Sequence, residues 1–223
     1  MKVLISNNLC FNSMSTTLKT SRIAEILSLI VFSILTILAI SKQQISVFYI
    51  IYLLWIDEFL KTIFDFLKSR FKSNTITDLS TYRKLVRSRF FMLGIYVIFI
   101  IVFFGFLLDW KSTDVINGNF EVFLFKNVWF NFSVLSFFIR EVIEYHYESI
   151  PQPNAHHVLS KGIITSHLSI VFGVFIWSFI SGKIVETDFD FSSYGSALAI
   201  IPFLIIKFIF EIMEINNRHR QNI

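Results

Sequence analysis

Three apolar stretches of the sequence each carry charged residues at helical spacing. At about 100° per residue of an α-helix, groups three or four positions apart share one face. Asp57, Lys61, Asp65 and Glu58 then fall within one narrow stripe. Two similar stripes lie further along the chain, formed by Arg140, Glu141 and Glu144 and by Lys207, Glu211 and Glu214. Charged stripes inside apolar helices are typical of ion pairs, proton relays and cation sites.

The charges of the three stripes are not balanced. Seven residues are acidic and three, Lys61, Arg140 and Lys207, are basic. Like charges that lie close together cannot all ionise in an apolar medium. The excess therefore predicts either shared protons or a bound cation. The alternative is that residues near the helix ends extend to the membrane surface or form structural ion pairs.

A metal site is the sharpest enzymatic hypothesis. Histidine together with carboxylates suits zinc or iron, and the weak candidates are Glu144, His146 and His157. However, no His-Glu-x-x-His pattern is present, and His156 and His157 are adjacent, so they point to different sides. The sequence contains no recognisable nucleophile elbow and no phosphate-binding glycine loop. We expect no bound cofactor.

The composition indicates a membrane protein. Apolar residues make up 54% of the 223-residue chain and charged residues 16%, against about 25% charged in a typical soluble domain. This argues against a soluble globular domain, a disordered tail and, despite the net charge of +4, a nucleic-acid-binding domain. The lone Cys10 excludes an intrachain disulfide framework.

The apolar blocks have about the length needed to cross a bilayer. They predict an all-α, polytopic membrane bundle at residues 23–215, between a basic N-terminal segment (1–22) and a basic tail (216–223). The six predicted transmembrane helices are 23–40, 46–67, 90–108, 122–145, 163–180 and 197–215. The second helix is free of charge only over residues 45–56, so it must carry charge into the membrane.

The distribution of lysine and arginine predicts the orientation. Thirteen of these bases fall on the side of both termini and four on the opposite side. By the positive-inside rule, we expect a protein of the inner (plasma) membrane with both termini in the cytoplasm. The basic segment 68–89 includes an amphipathic part, residues 73–89, expected to lie along the inner surface near anionic headgroups. A turn is predicted at Asn117-Gly118-Asn119 in an outer loop.

In this topology the three stripes lie at similar depth, and facing lipid would cost each charge about 2.5 to 3.5 kcal/mol. We therefore expect them to meet in an internal polar cluster, joined by His167 from the fifth helix. Lys207 or Arg140 should approach Asp57 or Glu58. The candidate cluster consists of Asp57, Glu58, Lys61, Arg140, Glu141, Glu144, His167, Lys207 and Glu211.

Three segments resemble an uncharacterised family of multi-pass bacterial membrane proteins, a domain of unknown function. LWIDEFLKTIFDFLK (54–68) is similar to the Tyr-Trp-x-Glu-Asn motif that ends the family's second helix. IPFLIIKFIFEIMEINNRHR (201–220) resembles its last helix, where a lysine precedes an acid by four residues, and SHLSIVFGVF (166–175) its Ser-His-Gly segment. The resemblance implies architecture and no particular activity.

Two function classes follow from these patterns. The first is a non-enzymatic membrane component, such as a small transporter, a proton or cation pathway, or an accessory subunit. The second is a membrane-embedded, metal-dependent hydrolase. The absence of nucleophile and zinc motifs favours the first. A protein partner or a homo-oligomer is compatible with either class, and nucleic acid is not an expected partner.

Overall fold

The fold comes from a computed structural model that describes residues 23, 25–36, 38, 46–107, 110, 112–147 and 204–213, with isolated positions at 164, 167, 168, 171, 172 and 216. These residues are helical apart from short connections and include no strand. The helices are α1 (Glu25–Thr36), α2 (Val47–Phe71), α3 (Leu79–Phe99), a π-helix (Ile100–Leu107), α4 (Thr113–Phe123), α5 (Val128–Tyr147) and α6 (204–213). A short 3-10 helix, Ser73–Thr75, lies between α2 and α3.

Helix α2 is the centre of the bundle, between α3 and α5. It begins at the Ser46 cap, whose hydroxyl accepts a hydrogen bond from the Tyr49 amide at 3.1 Å. All residues from 48 to 58 are buried, as expected for a helix that is apolar on every side. Its first half packs through aromatic rings: Tyr52 stacks on Phe130 of α5 at 5.5 Å and on Trp55 at 5.8 Å.

Helix α3 is longer than the predicted third span. It begins at Leu79, where the Asp78 carboxylate caps the Thr81 amide at 3.1 Å, and it continues directly into the π-helix. Residues 79–89 of the predicted amphipathic segment form the first turns of this helix and continue without a break into the predicted third span. The indole of Trp55 donates a hydrogen bond to the Leu93 carbonyl at 2.9 Å and joins α3 to α2.

The prediction of a turn at Asn117-Gly118-Asn119 is wrong, because all three residues lie inside α4. The Asn119 side chain is buried and forms hydrogen bonds to two other parts of the structure. Its amide donates to the Gly105 carbonyl of the π-helix at 3.3 Å, and its oxygen accepts from the Ser46 hydroxyl at 2.7 Å. This one side chain thus connects α4, the π-helix and the start of α2.

The predicted fourth span, 122–145, is interrupted. Helix α4 ends at Phe123 and α5 begins at Val128, with Phe125 in the left-handed region at φ 57°. The new helix starts there because the Asn127 side chain caps the Phe130 amide at 3.0 Å. The side-chain amide of Asn131 donates a hydrogen bond to the Phe125 carbonyl at 2.7 Å, and this bond holds the turn closed.

Many large apolar side chains are exposed, and several charged side chains are buried. Large apolar side chains are exposed along α1, α3, α5 and α6, including Phe91 (69%) and Ile98 (66%), whereas Asp57, Arg140 and Lys207 are buried. Two helical stretches, Leu79–Leu107 and Thr113–His146, are long and apolar enough to cross a membrane. Helix α2 does not meet that composition because Asp57, Glu58 and Lys61 fall within its first 18 residues.

Candidate functional site

Asp57 accepts charged hydrogen bonds from two helices at once. Its Oδ1 lies 2.6 Å from Nη2 of Arg140 on α5, and its Oδ2 lies 2.5 Å from Nζ of Lys207 on α6. All three residues are buried, with 3 to 4% of their surface exposed. The cross-helix ion pair expected from the sequence is therefore present, and both candidate bases form it. Asp57 occupies the tenth position after Val47, about 15 Å along α2.

Glu211 joins the same bases from the next turn of α6. Its Oε1 lies 3.2 Å from Nη1 of Arg140 and 3.4 Å from Nζ of Lys61, and its Oε2 lies 3.3 Å from Nζ of Lys207. Lys61 also lies 3.8 Å from Asp57, one turn away on α2. The i, i+4 spacing on α2 and on α6 brings these four charges to one level of the bundle.

Two further carboxylates approach Arg140 from its own helix. Glu141 Oε1 lies 2.8 Å from Nη2, and Glu144 Oε1 lies 3.7 Å from Nε. Arg140 thus lies between carboxylates of α2, α5 and α6 and uses several donors of its guanidinium fork. We call the seven connected residues the charge network: Asp57, Lys61, Arg140, Glu141, Glu144, Lys207 and Glu211.

Aromatic rings cover the bases of the charge network. Lys207 Nζ lies 5.3 Å from the ring centre of Phe32 on α1 and 5.2 Å from that of Phe137 on α5. The guanidinium carbon of Arg140 lies 5.5 Å from Phe137. These distances suit cation–π attraction and keep water away from the ion pairs. The sequence predicted neither phenylalanine, although Phe137 precedes Arg140 by three residues and so shares its face.

Helix α6 contacts the bundle with its charged side. Lys207 is buried, whereas Ile205, Phe208, Ile209 and Ile212 are exposed. Within residues 204–213, Lys207 and Glu211 form ion pairs with Asp57, Lys61 and Arg140, and the partly buried Leu204 packs against the apolar core. The described part of α6 is therefore attached through both charged and apolar contacts.

The charge network contains four carboxylates and three bases within the described residues. With every group ionised it would therefore carry one surplus negative charge. Glu58 and Lys68, both buried on α2, add one further charge of each sign. A surplus of this kind can be balanced by a proton or a cation.

Comparisons of the chain with protein-family models, with curated proteins and with solved structures gave no match. What the charge network does is therefore inferred from its own geometry and charge.

One predicted member of the cluster, His167, lies elsewhere. His167 is exposed, and its Nδ1 lies 3.1 Å from the Tyr96 hydroxyl of α3, so the structure does not bring it to the charge network. The start of a predicted span indicates the depth of His167 in a membrane but not which helix lies beside it. His156 and His157 lie outside the described residues.

The metal candidates do not converge. The His146 ring contacts the Val142 carbonyl of its own helix at 2.9 Å, on the exposed side, while Glu144 is buried beside Arg140. Two residues apart on a helix, these side chains point in nearly opposite directions. Over the described ranges, no group of three histidine, cysteine or acidic residues is placed to hold a metal ion.

A second ion pair lies further along α2 and was not predicted. The Asp65 carboxylate accepts from Arg89 at 2.9 Å and from the Tyr82 hydroxyl at 3.0 Å, both on α3. The spacing of Tyr82 and Arg89, seven residues or two turns apart, was the available signal. Together with Asp57 and Lys61, this pair extends the line of charge along α2 towards its C-terminal end.

Proposed function

We propose that this chain is a non-enzymatic integral membrane protein whose charge network takes up a proton or a small cation. The membrane location is supported by the large apolar side chains exposed along α1, α3, α5 and α6, because contiguous exposed apolar surface marks contact with a membrane or a partner. The proposed topology has six transmembrane helices and both termini in the cytoplasm. In it, α2 spans the bilayer because its charges are paired inside the bundle.

The observation that carries the proposal is Asp57, buried near the middle of α2 and paired with Arg140 and Lys207 from two other helices. Ionisable residues at this depth are costly, and in membrane proteins they mark ion and proton pathways. The surplus carboxylate of the charge network gives a proton or cation a reason to bind. Asp65, Arg89 and Lys68 continue the polar line towards the cytoplasmic end of α2 in this topology.

The opposite half of the bundle is closed by aromatic rings. Tyr52 packs between Phe48, Trp55 and Phe130, with nearly parallel planes in each pair. The rings of this stack carry no charge, and their hydrogen-bonding groups are limited to the Tyr52 hydroxyl and the Trp55 indole, which is already bonded to the Leu93 carbonyl. The arrangement therefore favours access from the cytoplasmic side to the charge network, as in one state of a small transporter or a gated pathway.

The test is ion movement in liposomes that contain the purified chain. An imposed potential should drive proton or monovalent-cation entry, measured with a pH-sensitive or cation-sensitive dye. Asp57→Asn should remove the movement, because the amide carries no charge to exchange, whereas the exposed Arg87→Gln should not. Equal movement in Asp57→Asn and wild type, or none above protein-free liposomes in wild type, would overturn the proposal.

A further inference from the structure

The exposed face of α3 changes character abruptly along its length. Arg83, Lys84 and Arg87 lie on the exposed side of its first turns. The same side then becomes apolar, with Phe91 69% and Ile98 66% exposed. At about 100° per residue these five positions fall within roughly one third of the helix circumference. The opposite face, with Tyr82, Val86, Arg89 and Leu93, is buried against the bundle.

The boundary between the two parts is sharp. Arg87 and Phe91 are four residues apart, about 6 Å at 1.5 Å rise per residue. A free anion would need only the three bases. An apolar protein partner would need only the apolar part of the surface, Phe91 and Ile98. A surface with both, in this order along one helix, fits an amphiphile with a negative head and apolar chains.

Among the residues that the structure describes, no acid forms an ion pair with Arg83, Lys84 or Arg87. Arg83 donates to the Ser69 carbonyl at 3.1 Å, which fixes it beside Arg70 at the end of α2. Asp65, the nearest acid on α2, is engaged by Arg89 on the buried side of α3. The Asp78 carboxylate caps the start of α3. The exposed positive charge is therefore available to a ligand.

We propose that Arg83, Lys84 and Arg87 form a binding site for the headgroup of an anionic phospholipid, whose acyl chains lie along Phe91 and Ile98. The site rests on the membrane location in the proposed function but not on ion uptake by the charge network. Each base near an anionic membrane surface contributes about 1 kcal/mol, or roughly fivefold in affinity. The three together should give a clear preference for anionic over zwitterionic lipid.

The experiment is native mass spectrometry of the full chain in a neutral detergent, titrated with phosphatidylglycerol or phosphatidylcholine. Wild type should retain phosphatidylglycerol at least tenfold more strongly. Each single change, Arg83→Gln, Lys84→Gln or Arg87→Gln, should reduce that preference severalfold, and the triple variant should remove it. Lys126→Gln, an exposed lysine on the turn before α5, should leave it unchanged and serves as the matched control.

Several outcomes would overturn the lipid site. These are a preference that survives in the triple variant, an equal loss in Lys126→Gln, or displacement of the lipid by millimolar inorganic phosphate, which would indicate a free-anion site. Circular dichroism of the triple variant checks that it is folded. Because lipid retention is measured without a gradient, failure of the liposome ion assay leaves this inference standing. If the wild type shows no preference for phosphatidylglycerol while its ion movement is intact, this inference alone is refuted.

Discussion

Replacing Arg140 by alanine should destabilise the protein more than any other single loss of a base. The side chain is 3% exposed and lies within 3.2 Å of carboxylate oxygens of Asp57, Glu141 and Glu211. Alanine leaves these acids buried with one base fewer. Removing one member of a buried pair costs about 3 to 5 kcal/mol, whereas an exposed substitution such as Arg87→Ala stays within about 0.5 kcal/mol.

The assay is equilibrium unfolding of wild type, Arg140→Ala and Arg87→Ala in one detergent, followed by circular dichroism. Arg140→Lys should lie between wild type and Arg140→Ala, since lysine keeps the charge but not the guanidinium fork. A double-mutant cycle between Asp57→Asn and Lys207→Met should give a coupling energy of about 1 to 3 kcal/mol. If Arg140→Ala and Arg87→Ala unfold alike and the coupling is zero, these charges do not form a buried network.

Two further predictions address the topology and the outer end of the bundle. The first uses right-side-out vesicles of a Cys10→Ser background that carry either Asn117→Cys or Lys84→Cys. The cysteine at position 117 should react with a membrane-impermeant maleimide, and the cysteine at position 84 should not. The opposite pattern would contradict the six-span orientation with both termini inside. Asn119→Ala should lower the free energy of unfolding by about 1 to 3 kcal/mol, because it leaves buried partners without hydrogen bonds; an unchanged unfolding midpoint beside the exposed Asn117→Ala would refute that role.

The helical class and the charged faces were predictable because both depend on local periodicity. The spacing of Asp57, Lys61 and Arg140 determines which charges share a side of a helix, whatever the helix contacts. The burial cost of those charges then predicts that Asp57 meets a base from another helix. The structure contains this pair, and all the described helices agree with the all-α prediction.

The errors arise where a local signal is outweighed by a distant contact. Asn117, Gly118 and Asn119 favour a turn, but they lie in a helix. There, carbonyls of the π-helix accept hydrogen bonds from the Asn119 side chain, and the Ser46 hydroxyl donates one to it. The break before Val128 depends on the Asn127 cap and one left-handed residue, which an apolar window does not detect. His167 contacts Tyr96 because of the way in which the elements that carry them pack together. The position of a residue around its own helix does not predict which other element lies beside it.

The charged inner side of α6 has a consequence for how the chain is made. Synthesis runs from the N-terminus, so α2 and α5 are complete before Lys207 exists. In the proposed six-span topology, Asp57 lacks one of its two closest bases until α6 inserts, and an α6 that inserted alone would present Lys207 and Glu211 to lipid, which is unfavourable. Under that topology, membrane entry of α6 and completion of the charge network would be one event. A chain that ends early would keep an unsatisfied polar interior, a feature by which membrane quality control can distinguish unfinished copies from finished ones.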